Sequence, residues 1–162
     1  MRSKPVTFSC EETLGLTPDD IVQQILDTTK WSDFKGYAFL PGIKNAEFEV
    51  QTPGLVGSRI RVANTDGSSH VEEIIEWQPD ERLTLLMKDF SPPLSRLATS
   101  FEESWTFTRS GNSTKVVRFF QLRAKSWLTR FALVVISLFL KKAITRHMRQ
   151  MRDASAGSSQ RG

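Results

Sequence analysis

The sequence holds only one cysteine, Cys10, and two histidines in 162 residues. A lone thiol cannot form an internal disulfide, and chains without disulfides are typical of reducing compartments, so we expect a cytoplasmic protein. Zinc sites of the nitrogen-and-sulfur type need several Cys and His ligands, and this chain has too few for one. We therefore expect no metal site and no other cofactor.

Long uncharged segments are also missing. The longest apolar stretch, residues 131–140, is bounded by Arg130 and Lys141 and has only half of the ~20 residues that a membrane span requires. The first residues, from Met1 to Pro5, lead into no apolar segment of the kind found in a secretory signal. The sequence therefore predicts neither a membrane span nor export.

Acidic residues are absent between Arg123 and Arg152, where eight basic residues occur. The net charge of the whole chain is only +4, so its basicity is concentrated in this segment. One interpretation is that these cations complement the negative end of a helix dipole and favour solubility. The other is attraction to an anionic surface, either lipid headgroups or nucleic acid. We expect no nucleic-acid partner, and peripheral contact with an anionic membrane stays open.

Glycine and proline are missing from residues 126–151, which predicts a helix about 39 Å long. Ser126 is suited to cap its start. Apolar residues follow two faces, separated by Arg130, Ser137 and Lys141. The first face comprises Leu128, Ala132, Val135, Ile136, Phe139 and Ala143. The second comprises Trp127, Phe131, Val134 and Leu138. We expect the second face to pack on the first helices of the chain or on another copy in a homodimer.

The preceding part of the chain consists of short elements. Residues 5–10 alternate apolar and polar side chains, which predicts a strand. Thr17 and Pro18 indicate a helix start, and Trp31 and Phe34 share a side of a second short helix. Six further strands are predicted at residues 44–51, 58–64, 69–77, 82–89, 101–109 and 113–122.

The connections between these six strands fix the fold class. All but residues 90–100 are of hairpin length, so the sheet is antiparallel. We predict an α+β fold in which a seven-stranded curved antiparallel sheet wraps around a long C-terminal helix, with two short helices after the first strand. Residues 1–152 form one domain in this prediction, and the Ser/Gly-rich residues 153–162 form a disordered tail.

Four features carry a resemblance to a known group of proteins. They are Trp31-x-x-Phe34, the turn Pro53-Gly54-Leu55-Val56-Gly57-Ser58, Glu73-x-x-x-Trp77 before Pro79, and the apolar terminal helix. Over residues 5–151 the chain resembles the START-like, or SRPBCC, superfamily, whose helix-grip fold is that of the birch-pollen-allergen group. It is most similar to the bacterial polyketide cyclase/dehydrase and lipid-transport members. The resemblance implies a hollow between sheet and helix in a superfamily that includes lipid carriers, hormone receptors and cyclases.

The turns predict which residues face this hollow. A two-residue turn at Gly111-Asn112 places Trp105 opposite Arg118 on the inner face, with Glu103 as a diagonal neighbour of Arg118. A buried carboxylate and guanidinium should pair, because an unpaired buried charge is costly.

On the other half of the sheet, a two-residue turn at Asp66-Gly67 and a three-residue turn at residues 79–81 both place Glu73 and Ile75 on the inner face. An apolar lining with a few polar groups is typical of small-molecule pockets. The predicted ligand-binding residues are Ile60, Val62, Glu73, Ile75, Leu85, Met87, Glu103, Trp105, Phe107, Arg118, Phe120 and Phe139.

The long connection at residues 90–100 and the segment 36–42 are expected at the same end of the hollow. Long loops are often functional, so we predict a portal there. The alternative is a loop packed on its own Leu94 and Leu97. The portal candidates are Tyr37, Phe39, Phe90 and Leu94.

Three residues are candidates for catalysis: Glu73, Glu103 and Arg118. Desolvation can raise the pKa of a carboxyl toward neutrality, whereas a bridge to Arg118 would lower the pKa of Glu103 and make that pair structural. His70 is expected to face outward. The chain has no Ser-His-Asp arrangement, Walker loop or GxGxxG motif.

The leading function is non-catalytic binding or carriage of a hydrophobic small molecule of the lipid, polyketide or isoprenoid class. The alternative is an enzyme of the polyketide cyclase/dehydratase type that uses the Glu and Arg residues of the cavity. A second alternative is a membrane-surface or protein-interaction module that uses the basic end of the last helix.

Overall fold

A computed structural model of the chain describes residues 3–159. Its helices are α1 (Pro18–Leu26) and α2 (Trp127–Ser159), and two short 3₁₀ segments cover Thr28–Asp33 and Leu94–Arg96. The strands are β1 (Val6–Leu14), β2 (Ile43–Val50), β3 (Arg59–Asn64), β4 (Ser69–Gln78), β5 (Arg82–Lys88), β6 (Ala98–Ser110) and β7 (Ser113–Ala124).

The seven strands form one antiparallel sheet in the order β1-β7-β6-β5-β4-β3-β2. After β1 the chain passes through α1 to the opposite edge of the sheet, where β2 lies. From β2 to β7 consecutive strands are neighbours, and this series ends with β7 beside β1. Helix α2 packs mainly against β1 and β7. The predicted α+β fold, a curved antiparallel sheet that grips a long C-terminal helix, is confirmed.

Helix α1 begins as the sequence predicts. The Thr17 hydroxyl accepts a hydrogen bond from the backbone N–H of Asp20, and the Asp20 carboxylate accepts one from the backbone N–H of Thr17. This reciprocal cap satisfies two backbone donors that a helix start leaves unpaired. The cap orients α1 so that Ile21 and Val22 are buried against the sheet.

Helix α2 contacts the core through a face that overlaps the first predicted apolar face only in part, at Ile136 and Ala143. Its buried residues include Leu133, Ile144 and Met148. Ser137, predicted in a polar stripe, is also buried, and its hydroxyl donates to the carbonyl of Val134 at 2.6 Å. A serine that satisfies itself in this way costs little to bury. The apolar side chains that the structure leaves exposed are Trp127, Leu128, Phe131, Val134, Val135 and Leu138.

The prediction that the second apolar face packs on the first helices of the chain is therefore wrong.

Helix α2 also extends further than predicted. It continues to Ser159, so the predicted disordered tail is wrong for residues 153–159. Ser155 is buried, and its hydroxyl accepts a hydrogen bond from the backbone N–H of Gly15 at 3.0 Å. This contact to the end of β1 gives the last turns of the helix an anchor that the composition of the segment does not reveal. The last three residues of the predicted tail lie outside the described part of the chain.

The register between β6 and β7 is the predicted one. Trp105 lies opposite Arg118, and Ser110 pairs with Ser113 across a two-residue turn. Gly111 in this turn has a φ of +60°, a conformation that favours glycine. The inward placement of Trp105, Glu103 and Arg118 follows directly from this short turn.

The register between β3 and β4 differs from the prediction by one residue. The loop has three residues instead of two, because the N–H of Asn64 donates to the carbonyl of Ser68 and Gly67 adopts a φ of +86°. As a result, Val62 lies opposite His70. A one-residue slip moves every side chain of a strand to the other face.

A β-bulge at Ile75 explains the second difference in β4. The three-residue turn is present, with Gln78 opposite Arg82, but the register shifts between Ile74 and Glu76. The apolar residues Ile74 and Trp77 are three positions apart, so both can face the core only if one extra residue is inserted between them. Beyond the bulge, β4 turns the opposite set of side chains inward from the set that the sequence predicts.

Candidate ligand-binding site

A cavity of about 380 Å³ lies between the sheet and α2. Its walls are mostly hydrocarbon and aromatic. Strands β5 to β7 contribute Leu85, Met87, Phe101, Trp105 and Phe120, and α2 contributes Ile136, Leu140, Ile144 and Met151. A hydrophobic core that filled all the space under the sheet would leave no such volume, because protein interiors are close-packed.

One charged pair is buried in the cavity wall. Nε of Arg118 donates to the Glu103 carboxylate at 2.7 Å, and Nη2 lies 2.5 Å from the same oxygen. Glu103 is 3% exposed and Arg118 is 6% exposed. The Arg118 guanidinium also lies 4.0 Å from the centroid of the Trp105 ring, in a cation–π arrangement. The predicted Glu103–Arg118 pair is confirmed.

His147 on α2 contacts this pair. Its Nδ1 lies 3.3 Å from Nη1 of Arg118, and a guanidinium can only donate, so Nδ1 accepts and carries no proton. Burial lowers the pKa of His147 to about 4, and the positive charge of Arg118 contributes in the same direction. The imidazole is therefore neutral at pH 7 and joins the helix to the charged pair of the sheet.

The carboxyl of Glu103 has a raised pKa. Burial is the largest cause, the Arg118 charge opposes it, and the nearby carboxylate of Glu72 raises the pKa further. The bridge to Arg118 acts on this pKa in the expected direction, but desolvation outweighs it, so the net shift is upward. The cavity thus holds a carboxyl that takes up a proton more readily than a solvated glutamate does.

A second polar pair lies on the wall formed by β4. Nε2 of His70 is 2.9 Å from Oε1 of Glu72, and both side chains line the cavity. Their side chains are only 13% and 7% exposed. The prediction that His70 faces outward is wrong, since the shifted register of β4 turns His70 and Glu72 inward.

Comparisons with known proteins place the chain in a family. A family model described as polyketide cyclase / dehydrase and lipid transport matches residues 5–156. The chain belongs to that family. A search of curated proteins finds no match to the chain.

Solved structures with the same fold as this family member are distant in sequence. The protein TTHA0849 from Thermus thermophilus is 13% identical with a TM-score of 0.69, over 95% of this chain and 99% of that chain. Major latex-like protein 151 from Panax ginseng is 15% identical with a TM-score of 0.60, over 90% and 99%. A START superfamily protein from Mycobacterium smegmatis is 13% identical with a TM-score of 0.59, over 90% and 98%. At these identities the likeness shows the fold alone, which is the START-like helix-grip fold.

Six of the predicted ligand-binding residues line the cavity of this polyketide cyclase/dehydrase and lipid transport family member. They are Leu85, Met87, Glu103, Trp105, Arg118 and Phe120. Within residues 3–159, four others do not line it, although the first three of them are buried in the core: Ile60, Val62, Phe107 and Phe139.

Two predicted residues lie on the wrong face of β4. Glu73 faces outward and pairs with Lys88 at 3.2 Å, and Ile75 is 38% exposed at the bulge. Neither side chain lines the cavity. Glu72 occupies the place that the prediction gave to Glu73, which removes Glu73 from the catalytic candidates.

The predicted portal residues lie close to one another or to the cavity. Phe39, Phe90 and Leu94 line it, while Tyr37 lies beside Phe139 at a ring distance of 6.2 Å. Gly36 permits the tight turn there, because a Cβ at this position would come within 2.2 Å of the carbonyl oxygen of Leu40. The role of these residues as a portal stays a prediction.

Sequence reasoning missed several cavity residues for which a signal existed. The α2 residues Ile136, Leu140, Ile144, His147 and Met151 are spaced by four, four, three and four positions, which marks one helical face. The outward residues of the same helix are equally apolar, so this spacing did not distinguish the inner face.

Two kinds of site are not found in the described part of the chain. No group of three or more His, Cys, Asp and Glu side chains in residues 3–159 could hold a metal ion. In the same residues, no helix is both long enough and apolar enough to cross a bilayer.

Proposed function

We propose that this protein binds and carries a hydrophobic small molecule in the cavity between the sheet and α2. The observation that carries the proposal is a cavity of about 380 Å³ with apolar and aromatic walls. This volume is within the range of roughly 300–1,000 Å³ found for small-molecule pockets. Lipids, polyketides and isoprenoids are the classes of ligand that suit such a lining.

The polar groups of the cavity favour a ligand with an uncharged polar end. Arg118 is already paired with Glu103, so it is not free to neutralise a ligand carboxylate. A fatty acid would place a third carboxyl beside Glu72 and Glu103, and carboxylates that share a buried site repel one another, as Glu72 and Glu103 already do. The buried Nε1 of Trp105 has no hydrogen-bond partner among the described residues. The indole nevertheless lies close enough to the Glu103 carboxyl to lower the pKa of Glu103. A hydroxyl or carbonyl oxygen of a ligand would satisfy this donor.

We expect a bulky substitution inside the cavity to block binding. Leu140→Trp should reduce the affinity for the neutral fluorophore N-phenylnaphthylamine by about tenfold or more, because overpacking removes the space that the fluorophore occupies. Leu138→Trp is the matched control, because Leu138 is two residues away on the same helix and is 61% exposed. Equal affinities in the two variants, both checked for folding by circular dichroism, would contradict the proposal.

Competition with the bound fluorophore tests whether the cavity prefers a ligand with an uncharged polar end. A long-chain alcohol should displace it at a lower concentration than the fatty acid of the same length at pH 7. If the acid competes equally well, the preference for an uncharged end is wrong, but carriage itself is not affected. If neither competes and lipid extraction of the purified protein yields nothing, carriage is wrong as well.

The raised pKa of Glu103 favours a second function, catalysis of ring closure or dehydration in a polyketide chain. A buried carboxyl with a raised pKa exchanges its proton at a higher pH than a solvated carboxyl does, which suits it to general acid–base catalysis. Glu72→Gln and Glu103→Gln should then lower turnover by roughly 10²–10⁴-fold. Glu73→Gln on the outer face of β4 should have no effect. Absence of turnover, or turnover that survives both cavity substitutions, would exclude this function.

A further inference from the structure

The outer face of the first turns of α2 carries a large exposed apolar surface. Among its residues, Phe131 is 70% exposed, Trp127 is 68% exposed and Leu138 is 61% exposed. Isolated exposed apolar residues are normal, but a contiguous group on one helix face marks an interaction surface. We call this group the apolar strip: Trp127, Leu128, Phe131, Val134, Val135 and Leu138.

The same face becomes basic in the following turns. Positions 131, 138, 142 and 149 lie almost in line on a helix of 3.6 residues per turn, so the basic residues continue the apolar strip. We call this group the basic strip: Lys141, Lys142, Arg146 and Arg149. All four are exposed, and among the described residues none is paired with a carboxylate.

The uncompensated charge indicates what covers this face. The segment from Arg123 to Arg152 contains no acidic residue, so a second copy that packs along the same face of α2 brings no carboxylate to the basic strip. An anionic bilayer satisfies both strips at once, because its hydrocarbon accepts apolar side chains and its headgroups attract Lys and Arg. Trp127 at the end of the apolar strip is a residue type that favours the membrane interface.

We propose that α2 docks this protein on the surface of an anionic lipid bilayer, with the apolar strip inserted at the boundary between headgroups and hydrocarbon and the basic strip in contact with anionic headgroups. The docked helix lies along the surface and does not cross it. The edge of the docked face is near the cavity, because the rings of Phe139 and Phe39 are 4.7 Å apart and Phe39 lines the cavity. Docking does not depend on the proposed carriage of a ligand.

Co-sedimentation of the full chain with vesicles tests docking. We expect binding to vesicles of mixed phosphatidylglycerol and phosphatidylcholine. The affinity for vesicles of phosphatidylcholine alone should be lower by about tenfold or more, because each basic residue near an anionic surface adds to affinity. Added salt should weaken binding, since exposed charges are screened. Equal sedimentation with both kinds of vesicle, or none with either, would overturn the proposal.

Two double variants separate the contributions of the strips. Phe131→Ser with Leu138→Ser, and Lys142→Glu with Arg149→Glu, should each reduce binding to the anionic vesicles by about tenfold or more. The matched controls are Phe119→Ser, at a side chain 37% exposed on the sheet, and Lys44→Glu, an exposed lysine of β2. These controls should bind as the unchanged protein does, and equal losses in them would contradict docking through α2.

Analytical ultracentrifugation tests the alternative that a second copy of the chain, and not a membrane, covers this face of α2. A stable dimer that dissociates in the Phe131→Ser, Leu138→Ser variant, with no binding to anionic vesicles, would assign the face to a second copy and overturn membrane docking. A chain that is monomeric in both forms and binds the vesicles supports docking.

Discussion

Replacement of Arg118 by methionine is expected to lower the free energy of unfolding by about 3–5 kcal/mol. The substitution leaves the Glu103 carboxyl, 3% exposed, without the guanidinium that lies 2.5 Å from it. A buried charge without a partner is costly, and only protonation of the carboxyl limits that cost. Urea denaturation at pH 7.5, followed by circular dichroism, measures the difference.

Two further variants control this measurement. Arg118→Met combined with Glu103→Leu should recover most of the loss, because a buried ion pair can often be replaced by apolar residues at little cost. Arg61→Met removes a cation from an exposed pair with Glu49, and its effect should stay within about 1 kcal/mol. A loss in Arg118→Met no larger than in Arg61→Met would show that the buried pair does not stabilise the fold.

The neutral His147 should make the stability of the protein depend on pH. Its pKa falls from the ordinary 6.5 to about 4 in the folded chain, so its contribution is present above pH 6.5 and is lost as pH falls toward 4. Between pH 7.5 and pH 5 this loss should amount to about 2 kcal/mol, at about 1.4 kcal/mol per pKa unit. His147→Asn retains a hydrogen-bond acceptor for Arg118 and has no group to protonate, so it should lack this component.

The difference in unfolding free energy between the unchanged protein and the His147→Asn variant isolates the contribution of His147 from that of other titrating groups. Glu103 acts in the opposite direction, since a raised folded pKa gives stability that is present at low pH and lost as pH rises. Both proteins contain Glu103, so subtracting their unfolding free energies at each pH removes most of its contribution. Parallel pH profiles for the two proteins would contradict a buried neutral imidazole at position 147.

The sequence is sufficient to predict the architecture and one half of the cavity wall. A two-residue turn at Gly111-Asn112 permits a single register, so the turn alone places Glu103, Trp105 and Arg118 on the inner face. The pairing of a buried carboxylate with the only nearby cation on that predicted face then follows from the cost of an unpaired charge.

The other half of the wall could not be predicted from local patterns. Asp66-Gly67 is compatible with a two-residue or a three-residue loop, and Gly67 has a positive φ in either. The difference lies at Asp66, which does not adopt the positive φ that a two-residue type I′ turn requires. No residue type at or beside Ile75 indicates a β-bulge from the sequence. Only the three-residue spacing of Ile74 and Trp77 indicates it, and only if both are known to be in the core.

The orientation of α2 shows a different limit. Apolar residues occur around most of its circumference, so periodicity gives more than one candidate for the buried face. The choice is made by the shape of the sheet, which accepts Leu133 and Ile144 and tolerates Ser137 because that hydroxyl bonds to its own helix. An amphipathic pattern alone therefore does not identify the buried side when the opposite face is equally apolar.

The bulge at Ile75 divides β4 into two segments, and the alternation of inward and outward side chains is set separately in each. On one side Trp77 and its neighbours follow the alternation set by the turn at residues 79–81, and on the other side His70 and Glu72 follow the alternation set by β3. Anyone redesigning the cavity for a different ligand can therefore edit the His70 and Glu72 positions without repacking around Trp77. Counting in twos from the tryptophan would instead lead the designer to alter a carboxylate on the outside of the protein.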